Sequence, residues 1–292
     1  MFFRLTWYIV HAILNATMNW LIISECSKGE LMKLSVLEYE VRENVAIVTM
    51  NHPPVNALGE TFLEDFQSVL KRLTNTNEAR AVLLSSACPG FFSAGDDVSS
   101  LTEITDEMIA LLPRAHTLLN DLESLLLPVV AAINGHALGG GLELALACDF
   151  RFMAEDSGRI GLPEIRLGMI PSLGGTQRLP WFVGRGKAVE MMYKGLQLLP
   201  EEARDICLIH EVFPADSLFE KCFDYASRLA RQATGALGCI KTCINAGYRL
   251  GFEAGLSMEY EMFRKNIRSR DAKEGISAFL ENRKPAFSGK DR

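Results

Sequence analysis

The sequence predicts an α/β fold, and three observations carry that prediction. Short apolar runs rich in β-branched residues, at 34–50, 81–86 and 129–133, read as strands. Helical patterns at about 61–73 and 105–125 separate them. From residue 216 the chain reads as helices almost to its end, with breaks near Gly235, Gly251 and Arg270. A chain of 292 residues that is 48% hydrophobic can bury a large core, as one big domain or one domain with an appendage.

The first 31 residues differ from the rest. Apolar pieces there are interrupted by Arg4, His11, Asn15 and Asn19, so no run reaches the roughly 18 apolar residues of a spanning helix. A signal peptide would need a charged start and a small-residue cleavage site as well as an apolar middle. Residues 1–31 are therefore expected to be an extension outside the folded core, with an amphipathic membrane anchor as the rival reading.

After it, L-S-V-L-E-Y-E-V and V-A-I-V-T-M predict two strands about Arg42-Glu43-Asn44. A proline-fixed loop at 51–58 leads to the first helix, and the strand at 81–86 ends in the turn C-P-G-F-F-S-A-G-D-D. Its small residues would expose backbone amides at Asp96, although for this turn taken alone Asp97 or a nearby serine capping the next helix is the stronger reading. After Arg151, F-M-A-E-D-S-G-R-I-G predicts a strand and hairpin. Glu164 then lies in a loop between Pro163 and Gly168, and Gly174-Gly175-Thr176 opens another helix, predicted over 178–194. P-E-E-A at 200–203 starts one more.

The net charge of -6 and a pI near 5.5 point to neither a nucleic-acid nor an anionic-membrane partner. Seven cysteines, an odd number without a C-x-x-C pair, favour reduced thiols in a cytoplasmic protein. The scattered histidines offer no metal-ligand spacing, so no metal is expected.

The most informative stretch is P-V-V-A-A-I-N-G-H-A-L-G-G-G-L-E-L-A-L-A-C-D-F-R, residues 128–151. Its strand runs into Gly139, Gly140 and Gly141, and then a helix apolar on nearly all sides, which must be buried. Three glycines are a poor helix start unless something must approach the backbone. They would leave the first amides bare, an arrangement that attracts an oxyanion. Glu143, in the same turn, is costly to bury without a partner or a task. Close helix packing with a first-turn acid is the alternative, and this stretch alone does not choose. A phosphate site is weaker, because neither G-x-G-x-x-G nor G-x-x-x-x-G-K-[ST] is present.

F-S-A-G-D-D at 92–97, N-G-H-A-L-G-G-G-L-E-L-A-L-A-C-D at 134–149 and P-E-I-R-L-G-M-I-P-S-L-G-G-T-Q-R-L at 163–179 together resemble the signatures of the crotonase superfamily, in its enoyl-CoA hydratase branch. The likeness runs from about residue 33 to the tail. It implies a crotonase-like spiral of ββα units over 32–228 and a C-terminal helical region over 229–292 that assembles homotrimers, often paired into hexamers. It implies an acyl-CoA thioester substrate with no separate cofactor, the amides of Asp96 and Gly140 as an oxyanion hole, and Glu143 and Glu164 around a catalytic water. For substrate binding it points to Val55, Ala57, Leu58, Phe92, Ala94, Gly139 and Gly175, with Phe263 and the basic tail from Lys284 to Lys290 as further candidates.

The activity this implies is hydration of a 2-enoyl-CoA. The runners-up are a sibling reaction (Δ3,Δ2-isomerase, dienoyl-CoA hydratase or acyl-CoA hydrolase) and, in a different class, a non-catalytic acyl-CoA-binding protein. Two departures from the family pattern stand out. Asp96 replaces a small or apolar residue, which would set a carboxylate near the thioester. R-D-I-C-L-I-H-E-V-F at 204–213 replaces A-x-x-x-G-L-V-x-x-V, a change read as structural.

Overall fold

The computed structural model describes residues 31–96 and 105–289, so nearly all of the expected N-terminal extension, the proposed cap at Asp97 and Lys290 lie outside the described residues. Among those described, eleven strands form two sheets. The larger has the order β1(Met32–Lys33), β2(Leu37–Arg42), β3(Val45–Met50), β4(Ala81–Ser86), β6(Val129–Ile133), β8(Phe150–Ala154), β11(Glu211–Phe213). The smaller has the order β10(Gln197–Leu198), β9(Ile160–Gly161), β7(His136–Leu138), β5(Phe91–Ser93).

Sequence explains where the chain turns. Glu43 and Asn44, both at positive φ (50° and 63°), form a two-residue hairpin loop between β2 and β3. From β3 onward the large sheet is parallel, through β4, β6, β8 and β11. Strands β3, β4, β6 and β8 are buried on both faces, which is why they read as continuous apolar runs and not as alternating ones. In β6 every residue is at most 2% exposed. Val129, Ala131 and Ile133 join the main core, whereas Val130 and Ala132 face a second cluster with Leu218, Phe223 and Ala226. Removing a buried branched side chain there would cost about 1.5–3 kcal/mol in transfer free energy alone.

The connections repeat. β4 and β5 precede α2(Asp106–Ser124), β6 and β7 precede α3(Gly140–Leu146), and β8 and β9 precede α4(Gly175–Lys194); α1(Glu60–Asn75) follows β3. In each repeat the first strand enters the large sheet and the second enters the small one. This is the expected spiral of ββα units. It corrects one expectation: β8 and β9 are not a hairpin. β9 pairs with β7 and β10, because the tight turn after Ala154 delivers the chain to the other sheet.

Beyond α5(Pro200–Asp205) and α6(Leu218–Ala230), the chain ends in α7(Thr234–Leu250), α8(Phe252–Asn266) and α9(Arg270–Leu280). Gly251 breaks the helices as expected. The break expected near Gly235 falls at 231–233, and Gly235 itself is buried in the first turn of α7. Arg270 begins α9, after an N-cap in which Ser269 accepts the N–H of Ala272. Among the described residues, no helix is long and apolar enough to cross a membrane.

Candidate active site

The three consecutive glycines are explained by what approaches them. Gly139 has a left-handed φ of 54°, and a β-carbon there would stand 3.2 Å from Oε1 of Glu164. A β-carbon on Gly141 would fall 2.3 Å from the carbonyl oxygen of Ser93, so strand β5 lies directly on the first turn of α3. Gly95, at φ 85°, packs against Gly140; a β-carbon on Gly95 would be 2.7 Å from the Gly140 nitrogen. The loop of Asp96 and the start of α3 are thus in backbone contact. Neither the N–H of Asp96 nor that of Gly140 has an acceptor among the described residues.

That contact is braced from behind. Gly95 N–H is held by Ser93 Oγ at 3.0 Å, and Ser93 Oγ donates to the Asn56 carbonyl at 2.7 Å. Gly95 O accepts the Leu58 N–H at 3.0 Å, and Val55 O accepts the Ala94 N–H at 3.0 Å. Ala57 bridges to Gly95. Val55, Ala57, Leu58 and Ala94 therefore line the strand end beside the two free amides. Leu58 is buried, its Cδ1 facing Gly140.

Glu143 is 1% exposed. Its Oε1 accepts the N–H of Leu173 at 2.8 Å and that of Gly175 at 2.6 Å. Burial pushes its carboxyl up to about 7; the Gly175 and Leu173 donors oppose that rise, and the charges of Glu164 and Asp96 add to it. Glu164 begins the short 3₁₀ turn Glu164–Leu167, after Pro163. Its carboxyl is also raised, by desolvation first, against a hydrogen bond from its own backbone and with the Asp96 charge adding. Glu164 Oε2 is buried without a partner among the described residues. Asp96 stands at the rim, accessible in outline, yet surrounded closely enough that desolvation raises its carboxyl too. Three carboxyl groups with raised pKa values beside two unpaired amides are what a site for proton transfer and oxyanion stabilisation requires.

Phe92 and Gly175, both expected at the substrate, face other groups. Phe92 is fully buried in the main core, because the strand's alternation turns it inward; the ring of Phe91, its neighbour, packs tilted against His136 with centroids 5.1 Å apart. Gly175 lies beneath Glu143 Oε1, where a β-carbon would be 2.9 Å away, so it serves the glutamate. Phe263 is exposed on α8, on the same face as Tyr260 and Ile267. The amide of Leu173 and the buttress Asn56 had no signal in the sequence beyond their place in glycine- and proline-fixed loops. A cavity of about 370 Å³ at the opposite end of α3, lined by Cys148, Trp181 and Tyr248 among others, contains neither glutamate.

A sequence profile of the family described as enoyl-CoA hydratase/isomerase matches residues 40–290. This chain belongs to that family. Among relatives of this enoyl-CoA hydratase/isomerase family member, it is 37% identical over 259 residues to a probable enoyl-CoA hydratase of Bacillus subtilis, covering 88% of this chain and 100% of the relative. It is 37% identical over 243 residues to the enoyl-CoA isomerase/hydratase fer4 of Mycosarcoma maydis, covering 80% and 89%. The crystal structure of an enoyl-CoA hydratase from Geobacillus kaustophilus superposes with a TM-score of 0.86 at 34% identity, covering 89% of this chain and 99% of that one. The three motifs thus mark a member of the crotonase superfamily.

Proposed function

We propose that the protein is a hydratase of 2-enoyl-CoA thioesters, forming 3-hydroxyacyl-CoA. The observation that carries this reading is the pairing of Glu143 and Glu164, both raised in pKa, next to the unpaired amides of Asp96 and Gly140. Conjugate addition of water puts negative charge on the thioester oxygen. Two preorganised N–H donors lower the energy of that enolate-like state, each worth about 2.7–4 kcal/mol.

The attacking water must lose a proton as it reaches C3. Glu143, anchored through Oε1, has Oε2 to hold and deprotonate it. A carboxyl titrating near 7 is ionised often enough to act as a base and basic enough to accept the proton. Glu164, held toward its protonated form, delivers the proton to C2. The two titrate as a pair.

Coenzyme A is part of the substrate, and neither a cofactor nor a metal enters the scheme. The assembly we propose is a homotrimer, or a hexamer of paired trimers, formed through the region 229–292; the exposed Ile240, Ile244, Tyr248, Phe252 and Leu256 on α7 and α8 support it. Phe263 and the tail from Lys284 would then approach a neighbour's coenzyme A. The free thiols at Cys88, Cys148, Cys207, Cys222, Cys239 and Cys243 suit a reducing cytoplasm.

A Δ3,Δ2-isomerase is the second reading, favoured by the isomerase/hydratase name of the Mycosarcoma relative. Isomerisation commonly needs one acid, so two glutamates favour hydration. An absorbance assay with crotonyl-CoA decides between them. Hydration removes the conjugated thioester band; an unchanged band, with turnover only of 3-enoyl substrates, overturns the proposal.

A further inference from the structure

Glu143 is held by a segment that is itself held from outside the site. Both amides on its Oε1 belong to residues 173–175. Two side chains grip that segment. His116 of α2 donates to the Ser172 carbonyl, and Arg178 Nη1 donates to the Leu173 carbonyl at 3.1 Å. The guanidinium lies on the backbone of Gly174, at φ 100°, where a β-carbon would be 2.3 Å from Nη1.

Arg178 is in turn fixed on its other side. Its Nε and Nη2 donate to Glu123 Oε2 at 3.1 and 3.0 Å, and Nη2 also reaches Asn120 Oδ1 at 2.7 Å. The pair is largely buried, Arg178 at 5% and Glu123 at 9% exposure. Arg249 of α7 closes on the same Glu123 oxygen, and Asn245 of α7 donates to the Glu123 carbonyl at 3.1 Å. A continuous path therefore runs from α7 through α2 and Arg178 to the loop that holds Glu143.

From this path we infer that Arg178 is a positioning residue for Glu143, and that Glu123 and Arg249 set its grip. The inference rests on the reading of Glu143 as the base. Loosening residues 173–175 removes the two donors that favour the ionised carboxylate, so the group titrates higher and less of it is ionised at neutral pH. Two charges bear on the same carboxyl, and further titratable groups stand behind the loop that holds it. Glu164 and Asp96 face it from the site, while Arg178, Glu123, Arg249 and His116 stand behind the loop.

The test compares wild type with Arg178→Met, Arg178→Lys and Arg249→Gln on crotonyl-CoA across pH, with thermal melts. Arg178→Met is expected to lower kcat on the order of 10²-fold with KM within about threefold. It should also move the rising limb of the pH profile up by about one unit. Lysine should recover part of both effects, and Arg249→Gln, in a half-exposed position that leaves the Arg178–Glu123 pair in place, should give the same upward shift in smaller measure. A folded Arg178 variant with the wild-type limb overturns the inference. If Arg178→Met does not fold, the other two variants decide by the same criterion. Carbon-13 NMR titration of glutamate carboxyls, assigned with Glu143→Gln, reads the shift without turnover. An inactive wild type would thus count against the hydratase reading, while an unmoved Glu143 titration would count against Arg178.

Discussion

Gly95 lies so close to Gly140 that a β-carbon on the first would stand 2.7 Å from the nitrogen of the second. This contact joins the end of β5 to the start of α3 and sets the amides of Asp96 and Gly140 side by side. Gly95→Ala must either push the two loops apart or strain a residue at φ 85°. The expected result is a loss of about 10²–10³ in kcat/KM with circular dichroism unchanged, since the surrounding core is not touched.

Glu143→Gln and Glu164→Gln should each abolish turnover while leaving the fold intact. A scaffold that only binds acyl-CoA would retain its biological activity in both. Glu143→Gln should also change how stability varies with pH. The folded carboxyl titrates near 7, above its unfolded value of 4.5, so the native state binds more protons between those values and loses stability as pH rises through them. The variant removes that dependence, up to about 3 kcal/mol. Denaturant titrations at pH 5 and pH 8, on both proteins, measure it.

Asp96→Asn keeps the backbone donor and removes a negative charge that raises both glutamates. The rising limb of kcat against pH should therefore move to lower pH, by about a few tenths of a unit given the accessibility of this side chain. A pH profile that does not move would mean that the Asp96 charge is screened from both glutamates.

Cys207, in the stretch that departs from the family pattern, adopts a left-handed φ of 63°. Its thiol is free and exposed at the surface. Glycine at this position would carry no β-carbon to strain. Cys207→Gly should stabilise the protein by about 1 kcal/mol, raising Tm by about 2–4 °C, with catalytic constants unchanged.

What was legible in the sequence was set locally. The β6 run, the all-round apolar α3 and the glycine triplet each carry their reason within a few residues. What escaped depends on partners far along the chain. β9 joins the small sheet through β7 and β10, which its own two residues could not announce. Phe91 and Phe92 are adjacent and alike in character, and only the packed strand decides that Phe92 goes into the core. Arg178 and Glu123, 55 positions apart, look like ordinary charges of two helices until the fold places them behind Glu143.

The mass of the product that the purified protein forms from crotonyl-CoA separates hydration from every rival reaction. A gain of one water with coenzyme A still attached is expected, and no such product with Glu143→Gln. A product of unchanged mass, or free coenzyme A with crotonate, would contradict it.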